Sequence, residues 1–159
     1  MTVIAVTTST DRFSLDQRRE LARTLTDAVL VPEVGHLAPP ARVGFQVHFL
    51  EVPADHLAIG GVLSSENGAD VIRVDIAVMD SFWPQPVRSQ VIENLLAALC
   101  AATGHSDAPG SWWVNFRTID EGSWGTRGGV LSVHDLLESG VFTDQKISEI
   151  RSTTPRASA

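Results

Sequence analysis

The sequence predicts an α+β sandwich in which a tandem βαβ repeat builds one four-stranded mixed sheet carrying two helices on one face. Three observations lead there. Four segments are dense in β-branched residues or alternate apolar with polar, and an amphipathic stretch at helical spacing separates the members of each pair. The strand, helix, strand order then repeats, with offsets of 68 residues from Val3 to Val71 and 70 from Arg42 to Trp112. Right-handed crossovers place both helices on the same side of such a sheet, which leaves its other face in need of a partner.

The run Met1-Thr2-Val3-Ile4-Ala5-Val6-Thr7-Thr8-Ser9-Thr10 reads as a first strand that begins at the amino terminus, with no leader expected before it. Ser14 followed by Gln17 matches a capping box, so a helix starts there and presents Leu21, Ala22, Leu25, Ala28 and Val29 on one face. Pro32 is predicted to end it. From Arg42 to Glu51 the second strand sets Val43, Phe45, Val47 and Phe49 against Gly44, Gln46, His48 and Leu50. Pro53 to Asp70 is turn-rich, with Gly60-Gly61 and the hairpin-type dipeptide Asn67-Gly68. The third strand is Val71 to Met79, and a second helix opens at Pro84 and Pro86 and stops at Gly104. The fourth strand is Ser111 to Ile119, with Trp113, Asn115 and Arg117 on the face away from the helices. That face also takes Gln46, His48, Arg73, Asp75 and Met79, a mixture suited to a subunit interface or a water-lined channel. A glycine-rich turn through Trp124 leads to a short edge strand at Val130 to Val133. Short helices are predicted over Val133 to Leu137 and Asp144 to Arg151. One domain thus spans residues 1–151, with βαβ units at about 2–52 and 70–120 and a hairpin and helices at 121–151. A disordered tail is expected at 152–159.

Composition narrows the functional classes. With 159 residues the chain suits one domain, and 43% hydrophobic against 19% charged residues is a globular balance. No apolar run reaches the roughly 18 residues of a membrane span. A net charge of −7 with scattered arginines argues against nucleic acid as a partner. The single cysteine, Cys100, permits no internal disulfide and no C-x-x-C motif, and its alanine and leucine neighbours suggest a structural thiol. The five histidines lie in separate segments without i,i+4 pairing, so no metal and no other cofactor is expected. The absence of a secretory signal makes the cytoplasm the expected compartment.

Several motifs fall in a telling order: the strand at the extreme amino terminus, Val47-His48-Phe49-Leu50-Glu51-Val52-Pro53 running to Gly60-Gly61, then Trp113-Val114-Asn115-Phe116, then Gly122-Ser123-Trp124-Gly125 ahead of Gly128-Gly129. Across roughly Thr2 to Ser132 the chain resembles the tautomerase superfamily. The likeness is greatest to its cis-3-chloroacrylic acid dehalogenase-like branch, with similarity to 4-oxalocrotonate tautomerase and macrophage migration inhibitory factor. The resemblance implies a homotrimer with inward-facing sheets, and active sites at subunit boundaries around the amino-terminal residue. There the family uses a proline as base or cationic acid on a small-molecule substrate. This chain has Thr2 at that place. It also has Val29 where the dehalogenase branch has a helix histidine, Asn115 where that branch has a tyrosine, and Thr126 near its later glutamate. Met79-Asp80-Ser81-Phe82-Trp83 stands where the branch has arginines.

A different site in the same cavity is what remains. Thr2, Arg42, Met79 and Asp80, with Trp113 and Asn115 from a neighbouring copy, are the residues the resemblance would converge. An exposed Thr2 amine, after removal of Met1, can act as a base or form an imine, with Arg42 as anion anchor and Asn115 as donor to an enolate oxygen. Met79, Asp80 and Trp113 would line the substrate. Retention of Met1 moves this chemistry one residue outward, where it is expected to fail. The chain is therefore read either as a tautomerase-type enzyme for a small carbonyl or carboxylate substrate, or as a catalytically inactive trimeric ligand-binding or hetero-oligomer partner protein. In the second reading Thr2 is an ordinary strand residue and Arg42 a salt-bridge residue.

Overall fold

A four-stranded sheet in the order β2-β1-β5-β6 forms the centre of the chain, seen in a computed structural model that describes residues 1–79 and 83–154. In chain order the elements are β1 (Thr2–Ser9), α1 (Leu15–Val34), β2 (Phe45–Val52), the hairpin β3 (Ala58–Ile59) and β4 (Val62–Leu63), and the one-turn α2 (Ser64–Asn67). These are followed by β5 (Ile72–Met79), α3 (Gln85–Thr103), β6 (Trp112–Ile119), the hairpin β7 (Gly125–Thr126) and β8 (Gly129–Val130), α4 (Val133–Leu137) and α5 (Asp144–Thr153). β1 pairs parallel with β2 and antiparallel with β5, and β5 pairs parallel with β6. This is the predicted mixed sheet of two βαβ units.

Side chains alternate across it. Ile4 and Val6 of β1, with Ile72, Val74 and Ile76 of β5, bury against Leu21, Leu25 and Val29 of α1 and Val91, Leu95 and Leu99 of α3. Each such fully buried aliphatic side chain contributes on the order of 1.5–3 kcal/mol, which outweighs the modest helix propensity of the segments. The two helices run antiparallel. Gln17 donates through Nε2 to the Ala102 carbonyl at 2.7 Å, and Asn94 donates through Nδ2 to the Ala28 carbonyl at 3.3 Å. The predicted capping box is present, with Gln17 N–H donating to Ser14 Oγ at 3.2 Å and Ser14 N–H donating to Gln17 Oε1 at 2.9 Å.

Several expected boundaries move. α1 does not stop at Pro32 but continues to Val34, because Asn94 supplies the donor that proline withholds from the Ala28 carbonyl. Gly35 ends it at φ +93°. A Cβ there would lie 2.6 Å from Thr143 Oγ1, so a glycine is needed for both conformation and space. Position 35 is where α5 docks: the Thr143 N–H donates to the Val34 carbonyl at 3.0 Å.

The second strand begins at Phe45 rather than Arg42. Pro39 and Pro40 start a 3-10 turn over Pro39–Gly44, which leaves Val43 90% exposed instead of facing the core. Asn67-Gly68 is not a hairpin: Asn67 closes α2 and Gly68 caps it at φ +66°, while Gly60-Gly61 makes the tight turn between β3 and β4. The strand expected at Val130 to Val133 lies earlier, as β7 and β8, because Ser132 caps α4. Met79 is not on the open face but buried in a second core with Leu30, Val34, Val133, Leu137, Phe142 and Ile150. α5 runs to Thr153, two residues into the stretch expected to be disordered, and Thr154 is buried; residues 155–159, like Asp80, lie outside the described residues.

Candidate functional site around the amino terminus

β1 is an inner strand, so its first residue is fixed on both sides. Thr2 pairs with Phe45 of β2 and with Val78 of β5, and it is 1% exposed. Its Oγ1 is buried without a hydrogen-bond partner. The hydroxyl therefore reaches no substrate space, and before it lies Met1. That residue is seated. Its carbonyl accepts the Met79 N–H at 3.3 Å, and its side chain packs into the second core beside Gly44. Retention of Met1 thus leaves the amine at the protein wall, not loose in solvent.

Beside Met1 opens a cavity of about 260 Å³ between the 3-10 turn before β2, the end of α1 and the segment around α4. Its lining is mostly apolar and includes Val34, Pro40, Phe45, Leu136 and Phe142. Glu33, 6% exposed, is the charged side chain among the described lining residues. Burial holds the Met1 amine below the ordinary value of 8.0, and the negative charge of Glu33 opposes that shift in part. An amine so placed is a larger fraction neutral at neutral pH, and hence a better base or nucleophile, than an exposed terminus. Sequence reasoning missed Glu33 because it ended the helix at Pro32. The available signal was a lone acid inside the apolar run Val29-Leu30-Val31-Pro32-Glu33-Val34.

The other candidate residues divide. Met79 does not line the cavity as expected: its amide donates to the Met1 carbonyl, but its side chain is buried in the second core. Arg42 is not an available anion anchor. It donates through Nε and Nη2 to the two oxygens of Asp27 on α1, at 2.8 and 2.7 Å. Asp80 lies outside the described residues.

Trp113 and Asn115 stand on the open face of the sheet, where Asn115 donates to Asp75 Oδ1 at 3.2 Å and Trp113 Nε1 donates to the Gly110 carbonyl at 3.1 Å. The register puts Thr2 level with Val78, and Val78 level with Thr118. Asn115 and Trp113 therefore sit about 10 and 17 Å along the sheet from Thr2, at roughly 3.3 Å per residue. One copy of the chain cannot bring them to its own amine. The open face also carries Val3, Ala5 and Ala77, small residues that floor a shallow trough of about 300 Å³ beside Asn115 and Arg117. No group of three or more His, Cys, Asp or Glu placed to hold a metal ion occurs among the described residues, and no helix there is long and apolar enough to cross a membrane.

No protein-family model matches the chain, and no curated protein is detectably similar in sequence. Solved structures do match in fold. N1, a member of the cis-3-chloroacrylic acid dehalogenase (cis-CaaD) family, superposes with a TM-score of 0.68 at 18% identity, over 94% of this chain and 99% of that one. Pt0534 inactivated by 2-oxo-3-pentynoate matches with a TM-score of 0.66 at 16% identity, over 84% and 98% of the two chains. A fused 4-OT in its symmetric trimer matches with a TM-score of 0.65 at 21% identity, over 82% and 94%. The chain has the fold of these tautomerase-superfamily proteins.

Proposed function

From a chain with the fold of fused 4-OT and cis-CaaD family structures, we propose a tautomerase-type enzyme that moves a proton on a small carbonyl substrate, using the α-amine of Met1 as base. One observation carries this reading: Met1 lines a cavity at the end of an inner strand, and burial holds its amine below 8.0. An enol or α-proton brought into the cavity would pass its proton to the neutral amine, and the resulting ammonium would return it at carbon.

The working form proposed is a homotrimer whose open sheet faces meet, as the fused 4-OT structures are trimers. In that arrangement Trp113 of one copy would close another copy's cavity, and Asn115 would donate to the developing enolate oxygen. A substrate carboxylate, if present, would find its cation on the open face at Arg117, because Arg42 is engaged by Asp27 and Arg73 by Asp75.

Ketonisation of phenylenolpyruvate tests the reading. A rate above buffer that rises with pH and levels off below about 8 supports the amine as base. A second reading, a catalytically silent trimeric protein that binds an apolar ligand or supports a hetero-oligomer, draws on the apolar lining and on the engagement of Arg42. A rate equal to buffer from a trimer that still takes up an apolar ligand would favour it.

A further inference from the structure

We propose that the open face of the sheet holds a second binding site, beside the β3–β4 hairpin, for a small neutral aromatic molecule carrying one hydroxyl. The site lies at the end of the sheet away from Met1 and rests on no reading of the amine. From Thr2 to Thr7 is about 17 Å along β1 at the usual strand rise. The pairing sets Thr7 level with Arg73 of β5, and Arg73 level with Trp113 of β6. A hydroxyl, a cation and an indole thus form one row across three strands. Leu57, with Ala58 and Ile59 of β3, borders that row, and between them lies a cavity of about 140 Å³.

Three observations define the ligand. Trp113 is 56% exposed, yet its ring is fixed by the bond from Nε1 to the Gly110 carbonyl, so it offers a flat wall to another ring in a mostly apolar cavity. Arg73 is held along its own strand, where Nε donates to Asp75 Oδ2 at 2.7 Å and the two charges satisfy each other. A charged ligand would give up its water for no free counter-ion, whereas a neutral one gives up little. Thr7 supplies the polar contact. It is buried where Val3 and Ala5 of the same face are half-buried, it lines the cavity, and its Oγ1 has no hydrogen-bond partner among the described residues. A rotamer step about Cα–Cβ carries that hydroxyl out of its buried position, so that a ligand oxygen in the cavity can satisfy it.

Phenol is the probe. It is titrated into the intact protein to about 20 mM while the indole N–H signals of isotope-labelled tryptophan are followed by NMR, the Trp113 signal being the one missing from Trp113→Phe. A saturable shift of that signal is expected, with a Kd of about 1 mM, ordinary for so small a ligand. Thr7→Val keeps the branched shape and removes the hydroxyl. It should weaken phenol about fivefold, whereas toluene, which has no oxygen to pair, keeps its affinity and so reports an intact cavity.

No saturation at the highest concentration, a shift that spares Trp113, or benzoate binding more tightly than phenol overturns the proposal. So does a Thr7→Val protein in which both ligands weaken alike or neither weakens. Ketonisation has no part in the readout. A protein that fails to bind phenol leaves the proposed reaction standing, and an inactive protein that binds it as described leaves the site standing.

Discussion

The Asn94 side chain donates to the carbonyl oxygen of Ala28 at 3.3 Å, the acceptor that the residue at position 32 would satisfy if it were not proline. Through this contact α3 supplies the hydrogen bond missing from α1, and α1 runs on to bring Glu33 to the cavity. Asn94→Ala should therefore cost about 1–2 kcal/mol, the usual penalty for a part-buried carbonyl left without a donor. In a Pro32→Ala background, where residue 32 regains its N–H, the same substitution should cost clearly less. Denaturant melts of the four proteins give the cycle, and an equal cost in both backgrounds would sink the explanation.

Glu33 and the Met1 amine make a second, pH-dependent prediction. The negative charge of Glu33 raises the amine's affinity for protons against the larger lowering by burial. Glu33→Gln should accordingly shift the acid limb of the ketonisation profile to lower pH. The linkage has a definite sign: an amine held below 8.0 in the folded state binds fewer protons there than in the unfolded chain, so stability rises as pH climbs through the interval between the two values. A limb that moves to higher pH in Glu33→Gln would show that the carboxylate does not act on this amine.

These two features mark the boundary of what the sequence reveals. The sheet was legible because its signals are local: the alternation in β5, the capping box at Ser14 and Gln17, and the stop at Gly104 need no knowledge of distant residues. The site was less so, because its parts depend on contacts across the chain. Pro32 breaks a helix by local rules, and only Asn94, 62 positions later, reverses that outcome. Arg42 resembles an anion anchor until Asp27 is placed opposite it. Met79 has the parity of the open face, yet α4 and α5 fold over the end of β5 and bury it. Thr2 lies at the start of β1 as expected, but its side chain is buried, and the proposed base is therefore the preceding amine.

Arg12 and Asp70 predict the acid limb of stability. Arg12 donates through Nε and Nη2 to the two Asp70 oxygens at 2.8 and 2.7 Å, tying the loop after β1 to the residues leading into β5. This pairing holds the Asp70 carboxyl below its ordinary value of 3.8, partly offset by burial. Its contribution is thus fully present above 3.8 and is lost as pH falls through the depressed value. Both side chains keep a fifth to a quarter of their exposure, so solvent screening limits the effect to about 1 kcal/mol. Asp70→Asn should be the less stable protein at neutral pH, and the gap should close on acidification. A gap that persists at low pH would point to packing rather than charge.

Ala77 gives the sharpest test of the proposed trimer. It pairs with Val3 at the middle of the open face and packs against neither helix core, so a long cation there leaves the fold of one copy intact. Three copies meeting through that face would instead confront one another with buried like charges, a cost of several kcal/mol that no small rearrangement relieves. Ala77→Arg should therefore keep its far-UV circular dichroism while its sedimenting mass falls to that of a single 17.1 kDa chain. Ketonisation should fall with it, because in the proposed trimer Trp113 and Asn115 would serve the Met1 amine of another copy. A parent protein that already sediments at 17.1 kDa removes the trimer, and an Ala77→Arg trimer with full activity shows that copies meet through some other surface.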